Sequence, residues 1–203
     1  MPLQYPLQLN FKLIALAPRI RMRDAAGNEV FYVHQKTFKL KEDVRIYSDE
    51  SKSREMYNIR ADRIIDFSAK YHIYSSETGA AVGAIKHRGL RSIWNATYEI
   101  YDPNDQQSHL LKEDNPWIKV LDAISDSIPF VGLFTGYIFN PTYTVYRGVD
   151  KESGQPVMRL SKKPAFFESS FQIEKLDESV SGDEELRILL AIIMAVQMER
   201  SRG

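Results

Sequence analysis

YHIYSSETGAAVGAIKH, residues 71–87, is the stretch that decides the fold. It opens with aromatic and β-branched residues on an alternating pattern and passes through a polar segment to Gly79. It resumes with apolar residues three and six places on, at Val82 and Ile85. The same order returns in YTVYRGVDKESGQPVMRLSK, residues 143–162, where Gly154 precedes Val157 and Leu160. It occurs again in IRMRDAAGNEVFYVHQK, residues 20–36, where Gly27 precedes Val30 and Val33. The physical reading is a β-hairpin. A β-rich strand enters a turn in which glycine supplies a positive φ without a Cβ penalty, and a second strand returns to a basic residue such as Lys36, Lys86 or Lys162.

Looser versions fill the gaps. VRIYSDESKSREMYNIR (residues 44–60) places Lys52 near its turn, and YEIYDPNDQQSHLLK (residues 98–112) turns through Asp102, Pro103 and Asn104. FQIEKLDE (residues 171–178) begins the pattern without completing it, and LQLNFKLIAL (residues 7–16) alternates with Leu7, Leu9, Phe11 and Leu13 on one face. About five or six strand pairs spaced along nearly the whole chain predict an antiparallel sandwich or barrel. A closed barrel fits better, because closure removes exposed edges.

The end of the chain breaks the pattern. DEELRILLAIIMAVQMERSR, residues 183–202, starts with Asp183, Glu184 and Glu185 and finishes with Arg200 and Arg202, the charge order that suits a helix dipole. Between them Ile188–Val196 is apolar on every face, so the helix must be buried in protein or lipid. This run falls well short of the ~20 residues a bilayer core requires, which favours a core helix. The economical picture is a helix threaded through a β-barrel, each hiding the apolar surface of the other.

The hairpins carrying RDAAGNEVFYV, VRIYSDESKSREMYNIR and YHIYSSETGAAVGAIKH, followed by the apolar C-terminal helix, resemble the LURP-one-related family of the tubby C-terminal-like superfamily, which also contains the phospholipid scramblases. The resemblance spans roughly residues 8–200 of a single domain over 1–203. It implies a closed antiparallel barrel of twelve strands around a central hydrophobic helix, and it brings no catalytic residues to carry over. Within the superfamily, tubby proteins bind phosphoinositides and scramblases are associated with calcium-dependent lipid movement. This chain differs from scramblases in having no Pro-rich N-terminal tail and no cysteine to acylate.

Composition narrows the functions. Lys plus Arg and Asp plus Glu both number 27, so no global charge drives the chain onto nucleic acid or an anionic membrane. The absence of cysteine excludes disulfides, thiolate zinc sites, a thiol nucleophile and palmitoylation. The N-terminus does not read as a signal peptide, so a cytoplasmic location, peripheral to a membrane where lipid is bound, is the expectation. No G-x-S-x-G elbow, H-E-x-x-H pair or P-loop occurs, and the sequence reads as non-enzymatic with no cofactor. The four histidines, His34, His72, His87 and His109, show no paired spacing, and the first three, in or just past expected strands, suit surface or structural roles. In DPNDQQSHLLKE, Asp102, Asn104 and Glu113 fall at EF-hand positions one, three and twelve. Gln107 stands there where that loop needs glycine, so this is only a weak calcium candidate. Asn95–Thr97 forms a glycosylation sequon within an expected strand.

Two surface features could bind a partner. Arg19, Arg21 and Arg23 alternate with Ile20 and Met22, which places three guanidinium groups on one face of a strand, while Lys86, Arg88 and Arg91 cluster at a strand end. Such groups suit an anionic phospholipid or phosphoinositide head group. Their alternative role is an outward face balanced by carboxylates on neighbouring strands. The second feature spans Pro116–Ser127, read as an amphipathic helix, and the apolar run that follows it. There Phe130, Leu133 and Phe134 are candidate contacts to a membrane interface or partner. The leading expectation is a non-enzymatic binding module that recognises anionic head groups through a basic barrel face. Scramblase-like lipid transport and a protein-interaction scaffold are the alternatives.

Overall fold

The structure is a computed structural model describing residues 2–14, 17–34, 44–63, 69–88, 96–114, 142–163 and 169–200. The Pro116–Ser127 helix and the 128–139 apolar run expected from the sequence lie outside the described residues, as does the sequon asparagine. Among the described residues twelve strands are present: β1 (Leu7–Ile14), β2 (Ala17–Arg23), β3 (Glu29–His34), β4 (Val44–Tyr47), β5 (Glu55–Ala61) and β6 (Lys70–Ser75). They continue with β7 (Ala81–His87), β8 (Thr97–Tyr101), β9 (Gln107–Glu113), β10 (Thr142–Arg147), β11 (Gln155–Lys163) and β12 (Ser169–Lys175). Helix α1 (Gly182–Arg200) follows. Each strand pairs antiparallel with its sequence neighbours, and β12 closes onto β1 in the register Leu7↔Ile173 and Leu9↔Phe171. The fold is the mainly-β, twelve-stranded closed barrel with a C-terminal helix anticipated from the hairpin pattern and the resemblance.

Period-two alternation decides which side chains point in. Leu7, Leu9 and Phe11 of β1, Ile20 and Met22 of β2, Tyr71 and Ile73 of β6, Tyr98 and Ile100 of β8, and Phe171 and Ile173 of β12 are buried. The space they enclose is filled by α1, whose residues from Ile188 through Met198 are buried on every side. Full burial of each large aliphatic side chain is worth about 1.5–3 kcal/mol, so the helix and the inner wall are each other's main source of stability.

The repeated phrase has a geometric meaning that spacing alone did not reveal. Pairing slips by a residue in five hairpins, at Met22/Arg23, Ile46/Tyr47, Ile73/Tyr74, Ile100/Tyr101 and Val145/Tyr146. Each irregularity lies near the end of the first strand, just before the turn. Four of the five involve an aliphatic residue followed by tyrosine, which is the Ile-Tyr or Val-Tyr doublet of the quoted segments. A bulge bends its strand and adds right-handed twist, which a closing sheet needs. The turn glycines act as expected at Gly27 (φ +87°) and Gly79 (φ +70°). Gly154 corrects the expectation: the positive φ of that turn belongs to Gly148 (+122°), and Gly154 is required because a Cβ there would meet the Asp150 carbonyl and the Tyr146 side chain.

Among the strands, α1 lies nearest β7 and β8. Gly83 permits this approach, since a Cβ on it would strike the Tyr101 carbonyl oxygen and sit 2.7 Å from Cδ of Arg187 on the helix. Gly83→Ala should therefore lower stability by about 2 kcal/mol through overpacking against backbone. Gly79→Ala, facing open space, should cost only about 1 kcal/mol of backbone strain. Urea denaturation of both variants at unchanged slope checks the difference.

Candidate functional site

Among the described residues, polar side chains at the rims of the interior hold the helix. At the N-terminal end of α1, Glu184 accepts from Arg147 Nε at 2.8 Å and Nη2 at 3.1 Å, and from His109 Nε2 at 2.9 Å. Arg147, at the end of β10, also donates to Asp177 at 2.9 Å. The next helix residue, Glu185, accepts from Lys175 at 2.6 Å and from the Tyr5 hydroxyl at 3.0 Å. Two carboxylates in the first helical turn, favourably placed for the helix dipole, thus lock the plug to β9, β10, β12 and the chain before β1. At the opposite end of the helix, Tyr98 on β8 hydrogen-bonds Glu199.

This clamp has a pH signature. Burial pushes the imidazole of His109 down despite its bond to Glu184, while the Arg147 hydrogen bond holds the carboxyl of Glu184 below its usual range. A neutral His109 donates from Nε2 to Glu184 and accepts at Nδ1 from the Ser108 hydroxyl, 2.9 Å away. Both shifts have the same sign. The unfolded chain binds a proton at imidazole near pH 6.5 that the folded chain refuses, so this contribution is lost as pH falls through that value towards the depressed folded pKa. The Glu184 contribution persists above the ordinary carboxylate range and is lost at still lower pH as it drops through the depressed folded value. The melting temperature should fall between about pH 7 and pH 5, and the fall should be shallower in His109→Gln, which keeps an amide donor to Glu184 without the titration. Thermal melts across that range test it.

The outer wall carries the basic residues singled out by the sequence. Arg19, Arg21 and Arg23 stand on the outward face of β2, as alternation requires, with Ile20 and Met22 buried behind them. Their charges are matched across strands. Arg21 pairs with Glu29 on β3 at 2.9 Å and with Glu50 in the β4–β5 turn, and its guanidinium lies 5.8 Å from the centre of the Tyr32 ring. Arg19 reaches Glu50 at 3.8 Å and Arg23 reaches Glu29 at 3.6 Å. Lys86 lies on β7 and Arg88 just past its end; Lys86 faces Glu99 in the ladder and Arg88 pairs with that carboxylate at 3.5 Å. Glu99 also accepts from the Tyr101 hydroxyl at 2.7 Å, and burial followed by this bond pushes that phenol up to about 12. Lys70 sits 3.5 Å over the Tyr101 ring. Arg91, Phe130, Leu133 and Phe134 lie outside the described residues.

The calcium candidate does not assemble. Asp102 caps its own turn, accepting from the backbone N–H groups of Asn104 and Gln106, each at 2.9 Å. Glu113 stands at the far end of β9, roughly 20 Å of strand away, and accepts from the backbone of Ala96. Among the described residues, no group of three or more metal-ligating side chains comes together.

Strand order brings together residues that spacing did not pick out. Arg45 on β4, Asn58 on β5 and Tyr74 on β6 are consecutive partners in the ladders, and Arg60 partners His72 in the neighbouring row. They line an open groove of about 770 Å³ on the outer wall, with Arg19–Arg23 two strands away on one side and, on the other, Lys86 on the next strand and Arg88 just past its end. The only sequence trace of this site is every second residue of VRIY, MYNIR and YHIY, and the register needed to align them is set by turns and bulges.

A closed antiparallel barrel plugged by its own helix is the class that this geometry defines. The LURP-one-related family profile matches residues 29–121, from β3 to beyond β9, so the resemblance read from the sequence is shown over that span. Among solved structures, the chain is similar to an X-ray structure of a protein from Arabidopsis thaliana at 14% identity, covering 96% of this chain and 93% of that one with a TM-score of 0.48. No curated protein matches. Among the described residues no helix is long and apolar enough to cross a membrane.

Proposed function

We propose that the protein is a non-enzymatic binding module that takes an anionic phospholipid or phosphoinositide head group on its outer wall, peripherally at a cytoplasmic membrane surface. The observation that carries this reading is the occupied interior: α1 fills the barrel, so ligand recognition moves to the outside, where β2 and β7 present arginine and lysine rows. The candidate contacts are Arg19, Arg21, Arg23, Lys86 and Arg88, with Arg91 beyond the described residues. Their present carboxylate partners do not block the role. Glu50 is 53% exposed, and exposed ion pairs contribute only about 0–1 kcal/mol, so a multivalent phosphate can displace it. Guanidinium groups bind phosphate bidentately and with greater geometric preference than lysine.

Co-sedimentation with vesicles containing phosphatidylinositol phosphates, at low and physiological salt and with or without calcium, tests the proposal. Salt-sensitive binding independent of calcium is expected. Lys86→Glu combined with Arg88→Glu should remove most of it while moving the melting temperature by no more than about 2 °C. Glu50→Gln should strengthen binding severalfold, since it frees Arg19 from Glu50 and leaves Arg21 with Glu29 as its remaining carboxylate partner. Protein that stays in the supernatant under every condition overturns the lipid reading and leaves a protein partner as the function to seek.

A further inference from the structure

The groove on β4, β5 and β6 carries a signal separate from the basic rows that flank it. Asn58 lines it with only 9% of its surface exposed, and its carboxamide oxygen is buried without a hydrogen-bond partner. An unpaired buried polar group is costly, and natural structures rarely keep one without a use. The surrounding side chains explain how an outward-facing asparagine comes to be covered: Arg45 and Tyr74 stand directly across the ladder on either side, and Arg60 is the next outward residue of the same strand.

The chemistry of the lining selects the ligand. Arg45 and Arg60 are offset by Glu55 and Asp62, and Arg45 is already paired with Glu55 at 3.4 Å, so the groove offers little net field to an anion. A fully ionised phosphate oxygen has no proton to give the carboxamide oxygen of Asn58, and the P–OH that a phosphate keeps near neutral pH arrives with negative charge that this balanced lining does not favour. A hydroxyl both donates and accepts, so it satisfies whichever end of the carboxamide faces it and also accepts from a guanidinium N–H. Tyr74 and His72 lie with ring planes inclined by 27° and centroids 6.4 Å apart, giving a half-buried aromatic platform for the C–H face of a saturated ring. The volume, about 770 Å³, falls in the range of small-molecule sites. We infer that this groove binds a neutral, hydroxyl-rich ring of the sugar or cyclitol class, held by Asn58, Arg45 and Arg60 and stacked on Tyr74.

This site does not depend on the head-group reading, and the experiment separates the two. Amide spectra of the full chain labelled with 15N are titrated with myo-inositol, glucose and galactose, and in parallel with inorganic phosphate. The expected result is saturable shifts at Asn58, Arg60, His72 and Tyr74 with at least one of the neutral rings, persisting at high salt. Asn58→Ala and Tyr74→Ala should each weaken that binding about tenfold or more. Asn58→Ala should leave the melting temperature no lower, because it deletes an unsatisfied group, and should leave vesicle binding unchanged. No shift with any of the three rings overturns the inference. So do shifts with phosphate alone, and shifts that survive in Asn58→Ala.

Discussion

The contact between α1 and the inner wall is the constraint on which the rest of the structure depends. A twelve-stranded barrel encloses more space than its own inward side chains fill, and a helix apolar on all faces cannot stand in water. Each solves the other's problem, and the consequences spread outward. Gly83 is needed so that β7 can approach the helix. The polar rim of Arg147, His109 and Lys175 is needed so that the helix carboxylates have partners where they leave the water. With the centre occupied, the side chains left open to solvent are those on the outer face of the sheet and at its rims.

That outer face shows why charge counts mislead. The chain is formally neutral, and the row on β2 is locally neutralised by Glu29 and Glu50. Those carboxylates differ in kind. Glu29 belongs to the adjacent strand and is fixed by the ladder, whereas Glu50 projects from a turn and is half exposed. The wall therefore combines permanent and displaceable counter-charges, and only the latter can yield to a ligand.

Much of the fold was legible because its signals are local. Alternation in LQLNFKLIAL, the turn glycines at 27 and 79, and the acidic start of the last helix each depend on residues close in sequence. The bulges were not legible as such, although their Ile-Tyr and Val-Tyr doublets formed part of the repeated phrase. The third turn was misread at Gly154, where crowding by Asp150 and Tyr146, not φ, demands glycine. The candidate sites were less legible. Alternation predicted that Arg19, Arg21 and Arg23 share a face, but their partners come from another strand and a distant turn. The calcium pattern failed because a straight strand separates residues that an EF-hand loop would curl together. His109 gave no sign of its role, since Glu184 and Arg147 reach it across 75 and 38 residues of chain.

The seam between β1 and β12 sets the order in which the molecule can be made. Every other ladder joins neighbours in sequence, so hairpins can form as the chain emerges, but Leu7 must await Ile173 and the filling helix comes later still. Until then the meander is a curved sheet with two unpaired edges and an uncovered apolar concave face. Such a species folds slowly, because distant segments must meet before closure is rewarded, and it is the form most open to aggregation or to capture by a chaperone. The residues that make the finished barrel edgeless thus leave its precursor with edges for most of its synthesis.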